Sequence, residues 1–287
     1  MTGTLLSIGH GYSARSLARI LRPRGWHVVA TSRSAETCAR LQDEGVVAVQ
    51  WPGTDLRPYL RDATHLLSSV PPGADGDPVL AEAAEAIAGA GHLDWVGYLS
   101  TTGVYGDHAG AWVTEATALT PSGRRGHMRV QAEADWQAVC ARADTDLHIF
   151  RLAGIYGPGR NALERVRAGT ARRIIKPGQV FSRIHVADIA QVLAASAEAP
   201  VRGGRAYNVC DDLPAPPQDV IEHAAKLLGH APPPDEEFAT ADLSDMARSF
   251  YADSKRVDNS RMKRELQVSL LYPDYRVGLA ALLTQSG

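Results

Sequence analysis

Residues 9 to 14 read Gly-His-Gly-Tyr-Ser-Ala and follow directly on the apolar run Leu5–Ile8. Between a strand and a helix, this spacing suits a pyrophosphate. Gly9 permits the tight turn, Gly11 lets the backbone approach the phosphates, and the small Ala14 lets helix and strand pack closely. The first amides of the helix, from Tyr12 and Ser13 onward, then face the anion. His10 fills the variable position of the loop. The next apolar run ends in Ser32 and Arg33, where a site that prefers NAD places a carboxylate for the ribose hydroxyls. A hydroxyl and a guanidinium suit a 2′-phosphate instead, so NADP is expected over NAD. The competing reading is that Arg33 is a solvated loop residue. A second candidate lies in "GRRGHMRVQAE", where Arg125 and Arg129 stand four apart at the start of an expected helix and share one face. Guanidinium groups carry five donors and a permanent charge, so the pair can hold a carboxylate or phosphate but cannot relay a proton. The alternative is a solvated face with Arg129 paired to Glu133 one turn on.

The elements that must position these residues follow from hydrophobic period. Leu5–Ile8, Val28–Thr31, Val46–Val49, His65–Ser69, Trp95–Ser100 and Leu147–Leu152 read as strands. Helical patterns lie between them: Ala14, Leu17, Ala18 and Leu21 repeat at three- and four-residue steps, and Asp77-Pro78 makes a start for a helix running to about Ala90. Alternation of this kind predicts an α/β fold with a doubly wound parallel sheet. In the second half, Ile184–Val186 and Ala206–Val209 look like strands and Gln218–Leu228 like a helix closed by Gly229. Pro232-Pro233-Pro234 looks like a break before an acidic stretch. No internal repeat or low-complexity linker divides the chain, which argues for two domains sharing one body.

Composition narrows the partners. Thirty basic and 32 acidic residues in 287 give a formal net charge of −2, without the basic footprint of a nucleic-acid binder or a polybasic membrane patch. A small molecule is the expected partner. The first apolar run is too short for a signal-peptide core and none reaches spanning length, so a cytoplasmic location is expected. Cys38, Cys140 and Cys210 are far apart with no CxxC spacing, which indicates neither a metal site nor a disulfide framework.

Four phrases follow the glycine loop in order: "YLSTTGVYG" (98–106), "FRLAGIYGPGRN" (150–161), "SRIHVADIA" (182–190) and "AYNVCDD" (206–212). With the loop they resemble the extended short-chain dehydrogenase/reductases, the NAD(P)-dependent epimerase/dehydratase family, from about Leu5 to Leu283. The resemblance implies a Rossmann domain over 1–158 with returning segments near 184–210. Residues 159–287 would be mostly a smaller, discontinuous C-terminal substrate domain interleaved with it, and the substrate would bind in the cleft between. It assigns Thr101 to the family's catalytic Ser/Thr. It puts Ser69, Val70 and Pro71 along the cofactor's adenosine and ribose, and Ala153 to Tyr156, Ile155 included, beside the nicotinamide. His185 and Asp188 match a segment that mostly joins the domains. A homodimer is the family's usual state.

Two departures stand out. Ile8 and Ala14 replace the outer glycines of the family's first loop. Counting back from Glu133 puts Arg129 in the place of the family's lysine and Arg125 in that of its catalytic tyrosine, and no tyrosine between Tyr105 and Tyr156 restores the motif. Arg129 keeps the lysine's capacity to bond the nicotinamide ribose; neither arginine moves a proton. The resemblance therefore implies an atypical NAD(P)-binding oxidoreductase or epimerase/dehydratase-like protein for a small substrate, anionic if the arginines face the cleft. The alternative is a catalytically inactive NADP-binding sensor or regulatory module.

Overall fold

The three- and four-residue steps of Ala14, Leu17, Ala18 and Leu21 place all four side chains on one buried face of a helix, and a parallel sheet receives that face. In a computed structural model that describes residues 2–199 and 201–285, the first half alternates strand and helix. Its elements are β1 (Thr4–Ile8), α1 (Tyr12–Leu21), β2 (His27–Ser32), α2 (Ala35–Asp43), β3 (Val47–Gln50), α3 (Arg57–Asp62), β4 (His65–Ser68), α4 (Pro78–Ala88) and β5 (Trp95–Thr101). Asp77 accepts hydrogen bonds from the Val79 and Leu80 amides and Pro78 opens the helix, so the expected start of α4 is met by a side-chain cap.

From there the chain runs through β6 (Trp112–Val113), α5 (Arg124–Arg142), β7 (Leu147–Leu152), β8 (Gly154–Tyr156), α6 (Ala162–Arg167), β9 (Arg173–Ile175), β10 (Arg183–His185), α7 (Val186–Glu198) and β11 (Arg205–Val209). Then come α8 (Pro217–Leu227), β12 (Asp235–Glu237), α9 (Asp245–Phe250), β13 (Arg256–Val257), α10 (Ser260–Leu266) and α11 (Tyr275–Gln285). Seven strands pair in parallel in the order β11-β7-β5-β4-β1-β2-β3. One face is covered by α1 and α7 through Leu17, Leu21, Ile189 and Leu193; the other by α4 and α5 through Val79, Ile87, Trp136 and Val139. Each fully buried Leu or Ile contributes about 1.5–3 kcal/mol, so two such layers hold the sheet from both sides. The order reverses between β1 and β4, where the crossovers leave to opposite sides and open a crevice beyond the carboxyl ends of the strands.

Outside this sheet, β8 pairs with β10, β9 with β12 and β6 with β13, each as a short parallel ladder. Such pieces are too short to show an alternating pattern. The acidic stretch after the proline run is β12, held to β9 by Arg173, which pairs with Asp235 across the ladder and with Glu222 of α8. Among the described residues no helix is long and apolar enough to cross a membrane.

A buried polar chain ties α5 to the sheet. Glu133, 2 % exposed, accepts from Ser100 Oγ at 2.6 Å and forms a two-pronged ion pair with Arg151 of β7. Arg151 donates to the Tyr105 hydroxyl, which donates to Asn208 of β11. Breaking a buried pair leaves a charge without compensation. Glu133→Ala is expected to cost about 3–5 kcal/mol in denaturant unfolding, whereas Arg15→Ala, which removes a half-exposed pair with Glu44, should cost less than about 1 kcal/mol.

Candidate cofactor cleft

The loop after β1 is fixed from both sides. Gly9 N donates to Thr31 Oγ1 at 2.9 Å and His10 N to Thr31 O at 3.0 Å, stapling the loop to β2. Gly9 has φ +76°, and a Cβ there would stand 2.8 Å from Val70 Cγ2 and 3.2 Å from Val70 N. The loop thus rests on the segment after β4, across the point where strand order reverses. In front of Gly11 the space is open: a Cβ would meet only Gly9 O, at 3.8 Å. No side chain caps α1 and no acid lies in its first turn. The amides of Tyr12, Ser13 and Ala14 precede the first helical bond, Arg15 N to Gly11 O, and point their partial positive charge into that space. The hydroxyls of Ser68 and Ser69 are buried without a partner among the described residues. Open room, free amides and orphaned hydroxyls fit a dinucleotide diphosphate and ribose.

Two features of the loop lay outside the sequence reading. His10 turns inward, 5 % exposed, with Nδ1 2.9 Å from Ser7 Oγ. The Tyr12 hydroxyl donates to Pro158 O at 2.9 Å and lies against Gly157, tying the first turn of α1 to the "YGPG" turn. Positive φ at Gly157 and Gly159 makes that turn, and the two glycines were its sequence signal. At the end of β2, Ser32 Oγ accepts from Ser34 N, while the exposed Arg33 guanidinium has no partner among the described residues and is free for a ligand.

Thr101 closes β5, and its Oγ1 accepts from Gly103 N at 3.1 Å, capping the turn Thr102–Tyr105 and leaving its own proton to donate. Arg125 and Arg129 occupy the first turns of α5, as expected, but face different surroundings. Arg129 Nη1 donates to Tyr98 OH at 2.9 Å and Leu99 O at 2.8 Å, with the guanidinium 5.6 Å from the centre of the Tyr98 ring. Burial pushes the Tyr98 hydroxyl up to about 12, against the opposing pull of Arg129. Arg125 is exposed and without a partner among the described residues. The alternative pairing of Arg129 with Glu133 does not form: Glu133 points into the sheet, where Arg151 and Ser100 saturate it. Tyr105 is no substitute acid, because it is fully buried and its hydroxyl bridges Arg151 and Asn208.

Beyond β7, Ala153 N donates to Val209 O and Gly154 N to Ser182 O, which leaves Ala153 and the half-buried Ile155 along the carboxyl edge of the sheet. His185 caps α7: its Nδ1 accepts from Ala187 N, so the proton sits on Nε2, which is buried beside Gly157 without a partner among the described residues. Asp188 accepts from the amides of Leu271 and Tyr272 and from Gln191, tying α7 to the segment before α11. A strap over residues 251–257 also escaped the sequence reading. It binds the turn after Thr101 through Lys255 Nζ to Gly106 O, and the segment before β10 through Gln179 Nε2 to Asp253 O.

These contacts separate two glycines. Gly9→Ala should destabilise the protein by about 1–3 kcal/mol, through strain at positive φ and the clash with Val70. Gly11→Ala should change stability by less than about 1 kcal/mol yet weaken NADPH binding about 10-fold or more, read by calorimetry. Burial lowers both His10 and His185 from 6.5 to about 4. The unfolded chain would protonate them near 6.5, so the stability from their neutral forms is complete above that pH and declines as pH falls toward 4. Between pH 7 and 4 the melting temperature should fall less steeply in a His10→Asn/His185→Asn variant; parallel curves would contradict this.

The model of the NAD-dependent epimerase/dehydratase family matches residues 78–210. A search of curated proteins finds no match. Among solved structures, a conserved protein of unknown function from Silicibacter pomeroyi is 56 % identical over 99 % of both chains, with a TM-score of 0.94. MoeE5 in complex with UDP-glucose and NAD is 20 % identical over 99 % of this chain and 98 % of its own, TM-score 0.81. UDP-glucuronic acid 4-epimerase from Bacillus cereus in complex with NAD is 18 % identical over 98 % and 96 %, TM-score 0.77. The last two share the fold. Glycine loop and sheet order agree with the family match, and residues 78–210 are similar to the NAD-dependent epimerase/dehydratase family.

Proposed function

We propose that the protein is an NADP-dependent, epimerase/dehydratase-like oxidoreductase of atypical type, acting on a small anionic substrate without the usual tyrosine–lysine pair. The observation that carries this reading is the uncapped start of α1 opening onto free space at the strand-order reversal, flanked by orphaned serine hydroxyls. On this reading residues 1–158, with returning segments near 184–210, form the cofactor domain, and most of 159–287 forms the substrate side.

Gly11, Tyr12, Ser13 and Ala14 would hold the diphosphate, Ser69 to Pro71 the adenosine side, and Ser32 with Arg33 a 2′-phosphate. Ala153 and Ile155 would border the nicotinamide, which when bound supplies hydride exchange. Thr101 would donate a hydrogen bond to the substrate oxygen. Arg129, held on β5, sets positive charge beside that oxygen, and Arg125 is free to turn toward an anion. Since a guanidinium neither gives nor takes a proton near neutral pH, the proton must come from water or from the substrate itself. That limits the chemistry to activated compounds. Arg129's engagement with Tyr98 and Leu99 also favours a second reading, a cofactor-binding sensor without turnover. The cofactor choice is testable by titration: NADPH should bind at least about 10-fold more tightly than NADH, and Arg33→Ala should abolish the difference. Equal affinities, unaltered by the substitution, would rule out the 2′-phosphate site.

A further inference from the structure

One residue faces both halves of the cleft. Tyr12 opens α1, so its amide is one of the free donors at the start of that helix, while its hydroxyl donates to Pro158 O at 2.9 Å. The glycine before that carbonyl is what admits the ring. A Cβ at Gly157 would stand 2.5 Å from the Tyr12 hydroxyl oxygen and 2.7 Å from Val186 Cγ1, too close for real atoms, so the turn fits between α1 and α7 only without a side chain. The turn is otherwise lightly held. Gly157 and Arg160 exchange backbone hydrogen bonds at 3.0 Å, Asn161 Nδ2 donates to Gly157 O at 2.9 Å, and Pro158, Gly159 and Arg160 are exposed.

Behind the turn sits a donor with nothing to hold. His185 is 3 % exposed, and its Nε2 lies 3.5 Å from the same Cβ position without a partner among the described residues. A buried N–H without an acceptor favours any shift that brings it one. Moving the turn off Tyr12 offers its carbonyls to His185 instead, which gives this segment a second arrangement. Asn161 passes the position of the turn onward. Its Oδ1 accepts from Glu164 N and caps α6, whose Ala162 and Leu163 are buried in one cluster with Val220 and Ile221 of α8 and Leu279 of α11. These helices belong to the side of the cleft proposed above to receive the substrate. A segment held by few contacts is ordered at a cost in entropy, and a second ligand meets less of that cost once a first has ordered it.

We propose that Tyr12 couples the two sides of the cleft: a diphosphate on the amides that open α1 fixes the first helical turn, the Tyr12 hydroxyl then holds Pro158, and residues 157–161 settle in the arrangement that α6 presents to the substrate. The cofactor thus binds first and prepares the substrate side. This deepens the cofactor reading and rests on it. Hydrogen exchange of the full chain, followed by mass spectrometry with and without saturating NADPH, tests the coupling. At the start of α1, NADPH should slow exchange in the native chain and in Tyr12→Phe alike, because the backbone amides remain. Over 157–161, NADPH should slow exchange at least about fivefold in the native chain and less than about twofold in Tyr12→Phe. Gly157→Ala, which displaces the hydroxyl from the other side, should act like Tyr12→Phe. A tyrosine that merely packs would leave this cofactor dependence unmoved on loss of its hydroxyl. Protection of 157–161 that survives both substitutions, or that is missing in the native chain while α1 is protected, would overturn the coupling and leave the cofactor reading standing. No protection at either place in the native chain would overturn both.

Discussion

The loop after β1 can receive a phosphate only because its own backbone is satisfied elsewhere. Gly9 and His10 give their amides to Thr31, Gly11 gives its own back to Gly9 O, and the turn rests against Val70 from the next layer of the sheet. This leaves the three amides that open α1 as the unpaired donors, with no acid or cap to quench them. The parallel order of the sheet makes the arrangement possible, because its reversal puts β1 next to β4 and brings two loops distant in sequence to one edge. Tyr12 then carries the constraint outward, through Pro158, to the part of the chain that would face a substrate.

On α5 the same helix serves stability and the cleft with opposite faces. Glu133 and Trp136 look inward, to Arg151 and to Asp77, and fix the helix to β5, β7 and α4. Arg129 looks along the end of β5 and is held there by a hydroxyl, a carbonyl and an aromatic ring. Both hydrogen bonds come from one nitrogen, Nη1, and the contact of the planar guanidinium with the Tyr98 ring adds to them, which fixes the side chain at the strand edge. The outcome is a strand edge that carries positive charge and hydrogen-bond donors, with arginine and not tyrosine or lysine at positions 125 and 129 of α5.

Much of the frame was legible in the chain. Four- to six-residue apolar runs give all seven strands of the central sheet to within a residue or two, since burial on both faces forces a continuous apolar signal. The ladders β6–β13, β8–β10 and β9–β12 were mostly illegible, because two or three residues carry no period and charge pairs such as Arg173–Asp235 help hold them. In the site, Thr101 was indicated only by the family resemblance of the phrase around it, whereas the glycine loop could be located from its spacing. The direction of Arg129 could not, since it depends on Glu133 being taken by an arginine 18 positions away on another element. Nor could the strap over residues 251–257, whose role rests on backbone carbonyls and long-range partners that a local pattern does not reveal.

On the proposed reading, permanently charged side chains, Arg125 and Arg129, stand where the family resemblance would put a proton relay. The most direct measurement follows NADPH oxidation by an unactivated ketone, in the native chain and in an Arg125→Tyr/Arg129→Lys variant of matched stability. The account predicts no turnover above background in the native protein and a measurable rate, rising with the ionisation of a single group, in the variant. Vigorous ketone reduction by the native protein that persists after both arginines are replaced by alanine would contradict it.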